Sequence, residues 1–250
     1  MEQNVVSLMV SQRLHFDIYG YVLLKNVLAP DEVERMKSAL HKANEDPNLD
    51  VDSRVYIRRN SAHYVLLGNL VEYDPSLLEY AVHPKLVPLV EEVVGGKIRL
   101  EETEAIINSR DPDVDLRELE KHRYNPIAFH RGTKHGWGTY IEQNKFHCVF
   151  VKTLAYLTDI GPDDGGTAFI PGSHRLTWDR SEIIEAAMSD DSLVCQVEAE
   201  AGDVLLFPES LIHSTTAITS DKERTILIAG YTPTMFQPWP GNEVDPEFVK

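Results

Sequence analysis

The sequence has 250 residues, of which 42% are hydrophobic, and it carries 24 Lys and Arg against 40 Asp and Glu. This length suits one large domain, and the hydrophobic fraction is enough for a packed core, which excludes wholesale disorder. A formal net charge of −16 would repel a phosphate backbone, so nucleic acids and anionic membranes are excluded as expected partners.

The two cysteines, Cys148 and Cys195, are too far apart for a closely spaced metal pair and too few for a disulfide framework. The first segment, Met1–Gln12, has no basic start and no long apolar run, so we do not expect a secretory signal. No stretch approaches the roughly 20 apolar residues that span a bilayer. We therefore expect a cytoplasmic protein.

The first part of the chain is predicted to be mainly helical. Gly20–Leu28 has the apolar residues of a short buried strand. A helix is expected to begin at Ala29–Glu32, because proline and acidic residues favour a first turn, and to end at Asp46–Pro47. A second helix is expected at Pro84–Val94, where the pair Gly95–Gly96 ends it.

Short strand-like runs separated by turn residues follow from residue 97 onward. These runs are Ile98–Ser109, Pro126–Phe129, Phe146–Leu157, Thr167–Ile170, Val194–Val197, Asp203–Phe207 and Arg224–Tyr231. Several short strands at this spacing indicate a β-sandwich or barrel, while Asp179–Met188 is expected to be a helical insert. The predicted class is α+β, with one domain over residues 1–250 in which residues 1–96 pack on a β core at 97–235.

Three motifs lie on the predicted β core in a defined order. They are Ala128–Gly132, a strand that ends with a histidine; Gly165–His174, with Gly-Gly and Pro-Gly-Ser turns; and Ala201–Phe207, followed by Ile212–Thr215 and Arg224–Ile228. Each motif alone is compatible with an ordinary structural role, since glycine-rich turns and histidines near strand ends are common. Their combination and order indicate a function.

This order of motifs resembles the phytanoyl-CoA dioxygenase family of iron(II)- and 2-oxoglutarate-dependent oxygenases. The resemblance begins near Gly20–Asn44, passes through Val82–Val90 and is strongest over residues 129–231. Its most specific stretches are Leu157–Ile160, the Gly-Gly turn and Ile170–His174. The resemblance implies a double-stranded β-helix, which is a cupin-like jelly roll, with flanking helices.

By position, the resemblance implies that His130 and His213 bind the metal and that Arg224, Thr215 and Asn108 bind 2-oxoglutarate. Iron(II) accepts two imidazoles on one face and leaves the other face for 2-oxoglutarate and O₂. An arginine gives planar, bidentate recognition of the far carboxylate of a dicarboxylate. The implied activity is oxidation of an aliphatic C–H bond of a small molecule, with iron(II), 2-oxoglutarate and O₂ as cofactors.

The metal motif departs from the family pattern His-x-Asp, because this chain has His130, Arg131 and Gly132 in succession. Glycine has no side-chain oxygen to bind iron, and Asp and Glu are absent from Thr133–Ile141. In one interpretation, the position at Gly132 is open to water or to a halide such as chloride, with Arg131 or Lys134 near the anion. The 2-oxoglutarate halogenases, which this sequence then resembles, have this open pattern.

Two other interpretations stay open. A side chain elsewhere could replace the missing carboxylate, and the candidates are Glu142, Glu102, Glu104, His135 and His147. Alternatively the iron site is degenerate and the protein is a non-catalytic, cupin-like metal- or ligand-binding protein, although retention of both histidines and the arginine argues against this. Hydroxylation and halogenation are therefore both expected outcomes for an active enzyme.

The stretch Gly132–Tyr140 follows the first expected ligand, and its glycines and aromatic residues suit a lid or pocket wall over a small substrate. The alternative is a surface loop anchored by one aromatic side chain. The substrate-pocket candidates are Arg131, His135, Trp137, Tyr140 and His147. An amino acid, a nucleoside or another natural-product intermediate is a compatible substrate, and no feature of the sequence indicates an oligomeric state.

Overall fold

The computed structural model describes residues 6–133 and 138–238. The helices are α1 (Val10–Tyr19), α2 (Pro30–Glu45), α3 (Pro75–Ala81), α4 (Val87–Val94), α5 (Leu116–Lys121) and α6 (Arg180–Met188). The strands are β1 (Val22–Leu24), β2 (Tyr56–Ser61), β3 (Tyr64–Gly68), β4 (Ile98–Asn108), β5 (Thr139–Glu142), β6 (Lys145–Cys148), β7 (Val151–Tyr156), β8 (Thr167–Phe169), β9 (Cys195–Gln196), β10 (Val204–Pro208), β11 (His213–Thr215) and β12 (Arg224–Pro233). Within the described ranges, none of the helices has the length and apolar character needed to cross a membrane.

Two antiparallel sheets form the core of the molecule. The larger sheet has seven strands in the order β1-β10-β7-β12-β4-β3-β2, and the smaller has three in the order β11-β8-β9. Strands β5 and β6 form a separate hairpin. The non-sequential order, with β12 between β7 and β4, is typical of a jelly roll. The expected α+β fold, a double-stranded β-helix with flanking helices, is confirmed.

Strand β12 shows how the two faces of the larger sheet differ. It pairs with β4 on one side and with β7 on the other. Alternate residues point to opposite faces, so Ile226 and Ile228 pack in a cluster with Phe169 of the smaller sheet, whereas Leu227 packs in the cluster that includes the helices. Arg224 shares the face of Ile226 and therefore points into the interior between the sheets.

Helices α2 and α4 follow from local sequence. α2 begins at Pro30, and the Glu32 carboxylate accepts a hydrogen bond from the Ala29 backbone N–H at 2.7 Å, which caps the first turn. Its buried residues recur at helical spacing, and they are Val33, Met36, Ala39, Leu40 and Ala43. α4 ends at Gly95, whose φ of 83° is a left-handed conformation that glycine adopts readily. Both predicted helices are present.

The first 96 residues contain more β-structure than the sequence indicates. β2 and β3 form one edge of the larger sheet. The polar residues Arg58, Arg59 and Asn60 interrupt the apolar pattern of β2, and this explains why the strand was not predicted. Of the strand expected at Gly20–Leu28, only the three residues of β1 pair with a neighbour.

Two expected strands take another form. The segment Pro126–Ala128 is a 3₁₀ turn, because the Asn125 side chain accepts a hydrogen bond from the Ile127 N–H at 3.1 Å and proline suits the first position. The run Phe146–Leu157 is divided between β6 and β7, which belong to different sheets. The first histidine motif therefore follows a turn and not a strand.

Candidate active site

Two of the expected metal ligands, His130 and His213, lie side by side. The His130 N–H donates to the His213 carbonyl at 2.9 Å, and the His213 N–H donates to the His130 carbonyl at 3.0 Å, which makes an isolated antiparallel bridge. Their ring centroids are 4.3 Å apart. His213 is buried whereas His130 is exposed, so the pair lies where the interior opens to solvent.

Each imidazole is oriented by a backbone carbonyl. His130 Nδ1 donates to the Ala128 carbonyl at 2.9 Å, and His213 Nδ1 donates to the Leu211 carbonyl at 2.8 Å. Metal-binding histidines commonly make this hydrogen bond, which fixes the tautomer and leaves Nε2 as the ligating atom. Burial lowers the pKa of His213 to about 4, although Glu209 acts in the opposite direction. The His213 ring is therefore neutral near pH 7, as metal binding requires.

The Pro-Gly-Ser turn holds the second histidine in position. Ser173 Oγ accepts a hydrogen bond from the Ile212 N–H at 2.8 Å. The Ile170 N–H donates to the Ile212 carbonyl at 3.0 Å, and Phe169 pairs with His213 across β8 and β11. The Pro-Gly-Ser turn, which belongs to the stretches most specific for the family resemblance, thus fixes the backbone on which His213 lies.

Arg224 is fully buried at the start of β12, with 1% of its surface exposed. Its Nη1 donates to Asn108 Oδ1 at 3.4 Å, directly opposite on β4. The Nε and Nη2 atoms have no hydrogen-bond partner in the described part of the chain. Because a buried charge without partners is costly, this arrangement fits an anionic ligand, and the planar guanidinium suits a carboxylate.

Three hydroxyl-bearing residues, Thr215, Thr167 and Tyr156, are connected by strand pairing and a hydrogen bond. Thr215 is two residues after His213 on β11, so both side chains face the same side of the strand. Thr215 pairs with Thr167, whose Oγ1 accepts a hydrogen bond from the Tyr156 hydroxyl at 3.3 Å. Burial lowers the pKa of Arg224, and Tyr156 acts in the opposite direction. Tyr156 was not among the expected site residues, because it ends an apolar strand and has the pattern of a core residue.

The carboxylate of Glu209 occupies the space beside Gly132. The Gly132 N–H donates to the Glu209 carbonyl at 2.9 Å. A Cβ on residue 132 would overlap Glu209 Oε2 and would lie 3.2 Å from Glu209 Cδ. A buried carboxylate therefore lies where the aspartate of the family motif would begin. Sequence reasoning missed Glu209, which is distant from His130 along the chain and belongs to no recognised motif.

Glu209 is part of a buried charge network with Lys152 and Glu102. Lys152 Nζ is 3.1 Å from Glu209 Oε1 and 2.9 Å from Glu102 Oε1. Burial alone would lower the pKa of Lys152, but Glu209, Glu102 and Glu104 outweigh it and raise this pKa. Burial would raise the pKa of Glu209, yet Lys152 and His213 together lower it. Burial raises the pKa of Glu102 despite Lys152, so Glu209 is the more acidic of the two carboxylates.

These groups are donors that iron(II) accepts. Glu209 Oε1 lies 3.7 Å from His213 Nε2, and the His130 ring lies beside the His213 ring. Over residues 6–133 and 138–238, no group of three or more His, Cys, Asp or Glu side chains is already arranged to hold a metal ion. Two oriented imidazoles and the buried, unpaired nitrogens of Arg224 nevertheless fit iron(II) and 2-oxoglutarate. When bound, iron(II) and 2-oxoglutarate would supply the activation of O₂ that C–H oxidation needs.

The expected substrate-pocket residues lie in two places. Arg131 directly follows the first histidine, and its Nη2 donates to the Trp178 carbonyl at 3.2 Å. Tyr140 and His147 stack across the β5–β6 hairpin with ring centroids 5.1 Å apart, and the Tyr140 hydroxyl donates to the Val94 carbonyl at the end of α4. These contacts connect the hairpin with α4, and the role of its two residues at the pocket stays a prediction.

The candidates for a replacement ligand are also dispersed. Glu142 is exposed at the end of the hairpin, Glu102 pairs with Lys152, and Glu104 accepts a hydrogen bond from the Tyr56 hydroxyl at 3.5 Å. The remaining residues named from the sequence lie outside the described part of the chain: Lys134, His135 and Trp137.

The fold and the site together define a class, the oxygenases that depend on non-haem iron(II) and 2-oxoglutarate. Residues 16–226 match the phytanoyl-CoA dioxygenase (PhyH) family. Because this match spans most of the sequence, the chain belongs to that family. Its cofactors are iron(II), 2-oxoglutarate and O₂.

Individual relatives agree with this assignment. The ectoine dioxygenase of Nocardia farcinica (strain IFM 10152) is 22% identical over 226 residues, which cover 79% of this chain and 69% of that protein. HygX from Streptomyces hygroscopicus, solved with nickel and 2-oxoglutarate bound, has a TM-score of 0.74 at 24% identity. The alignment covers 93% of this chain and 90% of the HygX chain. The alpha ketoglutarate dependent epimerase SnoN from nogalamycin biosynthesis has a TM-score of 0.64 at 19% identity. The alignment covers 94% of this chain and 89% of the SnoN chain. The likeness to these two structures is one of fold.

Proposed function

We propose that this enzyme hydroxylates an aliphatic C–H bond of a polar small molecule. In this proposal His130 and His213 bind iron(II). Arg224, with Asn108 and Thr215, binds the far carboxylate of 2-oxoglutarate, which satisfies the guanidinium nitrogens that have no partner among the described residues. The protein orients both cofactors and the substrate, and it excludes water from the buried end of the site.

The carboxylate beside Gly132 is the observation that favours hydroxylation over halogenation. A halogenase needs an open position at iron for a halide anion, and Glu209 fills the space next to Gly132. Glu209 and Glu102 share the ammonium group of Lys152, so these three groups carry a net negative charge when ionised. A further anion at this position would be repelled.

A cavity of about 590 Å³ that begins at the His-x-Gly segment is the candidate substrate pocket. Residues in its lining include Arg131, Gly132, Thr177, Trp178, Asp179 and Arg180. This volume suits a small molecule, and the charged lining favours a polar one. Arg131 Nη1 is buried and has no hydrogen-bond partner in the described ranges, which favours a substrate that presents an anionic or other acceptor group.

The relatives support the same substrate class. The Nocardia relative is named for ectoine, and HygX has been crystallised with hygromycin B. Polar molecules of these two kinds, a compact zwitterion and an aminoglycoside, therefore form the first substrate panel.

The test is turnover with iron(II), 2-oxoglutarate and O₂ in three buffers, which contain chloride, bromide or neither. Succinate formation reports oxygenase activity, and mass spectrometry reports the product. We expect a product that gains one oxygen atom in all three buffers. A product that gains chlorine or bromine would reject hydroxylation in favour of halogenation, while absence of both succinate formation and 2-oxoglutarate binding would reject the oxygenase proposal itself.

A further inference from the structure

We propose that Glu209 is the third side-chain ligand of the iron, in place of the aspartate that the family motif puts two residues after the first histidine. The carboxylate would reach the metal from the turn after β10 instead of from residue 132. This inference rests on the proposed function, because it assigns a residue to the metal site that the function requires.

The separation between Glu209 and His213 is compatible with one shared ion. Glu209 Oε1 is 3.7 Å from His213 Nε2. In zinc sites, the bonds to imidazole nitrogen and carboxylate oxygen are about 2.0–2.2 Å long, so two donors of one ion lie at most about 4.4 Å apart, and about 3 Å apart at a right angle. The observed pair is within the limit.

Glycine at residue 132 is what makes room for this ligand. A Cβ there would overlap Glu209 Oε2 and would lie 3.5 Å from Glu209 Cβ. A side chain on residue 132 would therefore require the Glu209 carboxylate to leave the position that it has here. The carboxylate of Glu209 thus lies in the space that the side chain of an aspartate at residue 132 would need.

The backbone holds Glu209 in register with the two histidines. Its N–H donates to the Phe150 carbonyl at 2.9 Å, and its carbonyl accepts from the Gly132 N–H at 2.9 Å and the Thr133 N–H at 3.3 Å. The pairing of segments that joins the histidines therefore continues to Glu209. A ligand fixed in this way loses little conformational freedom when it binds metal.

Lys152 is a positioning residue for this carboxylate. Its Nζ is 3.1 Å from Glu209 Oε1 and contacts Glu102 on its other side. Lys152 and Glu102 lie opposite Gly230 from the two neighbouring strands, and a Cβ at Gly230 would be only 2.7 Å from Glu102 Cγ. The glycine thus leaves space for the ion pair that holds Glu209 beside the histidines.

The competing explanation is that Glu209 is only a structural partner of Lys152. Glu102 is a matched control, because it is also a largely buried carboxylate on the same ammonium group. The experiment measures the affinity of metal-free wild-type, Glu209→Gln and Glu102→Gln proteins for Ni(II) by titration calorimetry in the presence of 2-oxoglutarate. Circular dichroism checks that each variant is folded.

Glu209→Gln should lower the affinity for Ni(II) by more than the roughly 10- to 100-fold that loss of an outer-shell partner causes. Glu102→Gln should stay within about tenfold of the wild type, because its contact with the metal site is indirect. Unchanged affinity in Glu209→Gln would overturn the proposal, and so would losses of equal size in the two variants.

A second pair of variants gives a test that does not depend on the folding of Glu209→Gln. Glu209→Ala removes the carboxylate, and Gly132→Asp in the same protein returns one to the position of the family motif. The double variant should bind Ni(II) more tightly than Glu209→Ala alone. Failure of the folded double variant to regain affinity would overturn the assignment. A wild-type protein that binds no metal would instead reject the proposed function, so the two failures are distinguishable.

Discussion

Arg224 and Asn108 face each other across β12 and β4, and Arg224 Nη1 donates to the Asn108 amide oxygen at 3.4 Å. The other hydrogen-bonding nitrogens of this guanidinium, Nε and Nη2, have no partner among the described residues. One neutral acceptor does not offset the burial of a full charge. The ligand-free protein therefore holds the arginine in place for an anion at a cost in stability.

The first prediction concerns 2-oxoglutarate affinity. Arg224→Met should weaken binding by about 2–5 kcal/mol, which is at least about 30-fold, because it removes one partner of a buried charge pair. Ni(II) affinity should be unchanged, since neither histidine lies on β12 or β4. Titration calorimetry with each ligand measures both. Arg117→Met, on the exposed α5, is the control, and an unaltered affinity for 2-oxoglutarate would remove Arg224 from the site.

The second prediction concerns the stability of the same variant without ligand, which should not decrease although its affinity for 2-oxoglutarate does. Because two nitrogens of the buried guanidinium, Nε and Nη2, lack partners among the described residues, ligand-free Arg224→Met should be as stable as the wild type or more stable by up to about 4 kcal/mol. Addition of 2-oxoglutarate should then raise the melting temperature of the wild type and not that of the variant. Thermal unfolding with and without the ligand checks this. A variant that is strongly destabilised before ligand is added would contradict the account.

The sequence indicated candidate site residues where they lie in local motifs, and it missed a contact that depends on pairing between distant segments. His130, His213 and Arg224 each lie in a recognisable stretch, and the structure brings the two histidines together. The contact between Gly132 and Glu209 instead follows from the bridge that pairs residues 130 and 213. No periodicity in one sequence encodes such a register, so the sequence left an open position at Gly132 and a replacement ligand from elsewhere as alternatives.

Helix α2 and strand β2 differ in the same way in how far the sequence predicts them. Helix α2 was predicted because its apolar residues repeat at helical spacing. Strand β2 was missed because its Arg58–Ser61 segment is exposed and only pairing with β3 keeps it in the sheet. Apolar periodicity reports burial, and an edge strand with little burial gives a weak signal.

The third prediction tests the close approach at residue 132. Gly132→Ala puts a Cβ where Glu209 Oε2 lies, and we expect a loss of about 1–3 kcal/mol in the free energy of unfolding, as for other overpacked sites. Gly96→Ala is the control, because a Cβ there meets no atom within 4 Å. In the Glu209→Ala background the cost of Gly132→Ala should largely disappear. Chemical denaturation of the wild type, the two single variants and the double variant measures the coupling between residues 132 and 209. If Gly132→Ala costs the same free energy of unfolding with and without Glu209, the two residues are not in conflict.

The fourth prediction concerns the substrate cavity. Arg131→Ala should raise the KM for a substrate with an anionic or acceptor group by about tenfold or more, since it removes a charged hydrogen-bond donor worth about 1.5–3 kcal/mol. The affinities for Ni(II) and 2-oxoglutarate should not change. Steady-state kinetics and calorimetry separate these effects. If kcat falls while KM is constant, Arg131 acts on the chemistry and does not bind the ground-state substrate.

The last prediction concerns the pH dependence of the metal-free protein. Burial lowers the pKa of His213 to about 4 from 6.5; Glu209 opposes this shift, whereas His130 and Lys152 reinforce it. Between those pH values the unfolded chain binds more protons at this residue than the folded protein does, so the free energy of unfolding falls as the pH decreases from 6.5 towards 4. The contribution is on the order of 3 kcal/mol. Urea denaturation across this interval should therefore show a steeper decline for the wild type than for His213→Gln, which has no proton to bind there. If the two proteins lose stability in parallel, another group causes the acid sensitivity and the imidazole is not held neutral by its burial.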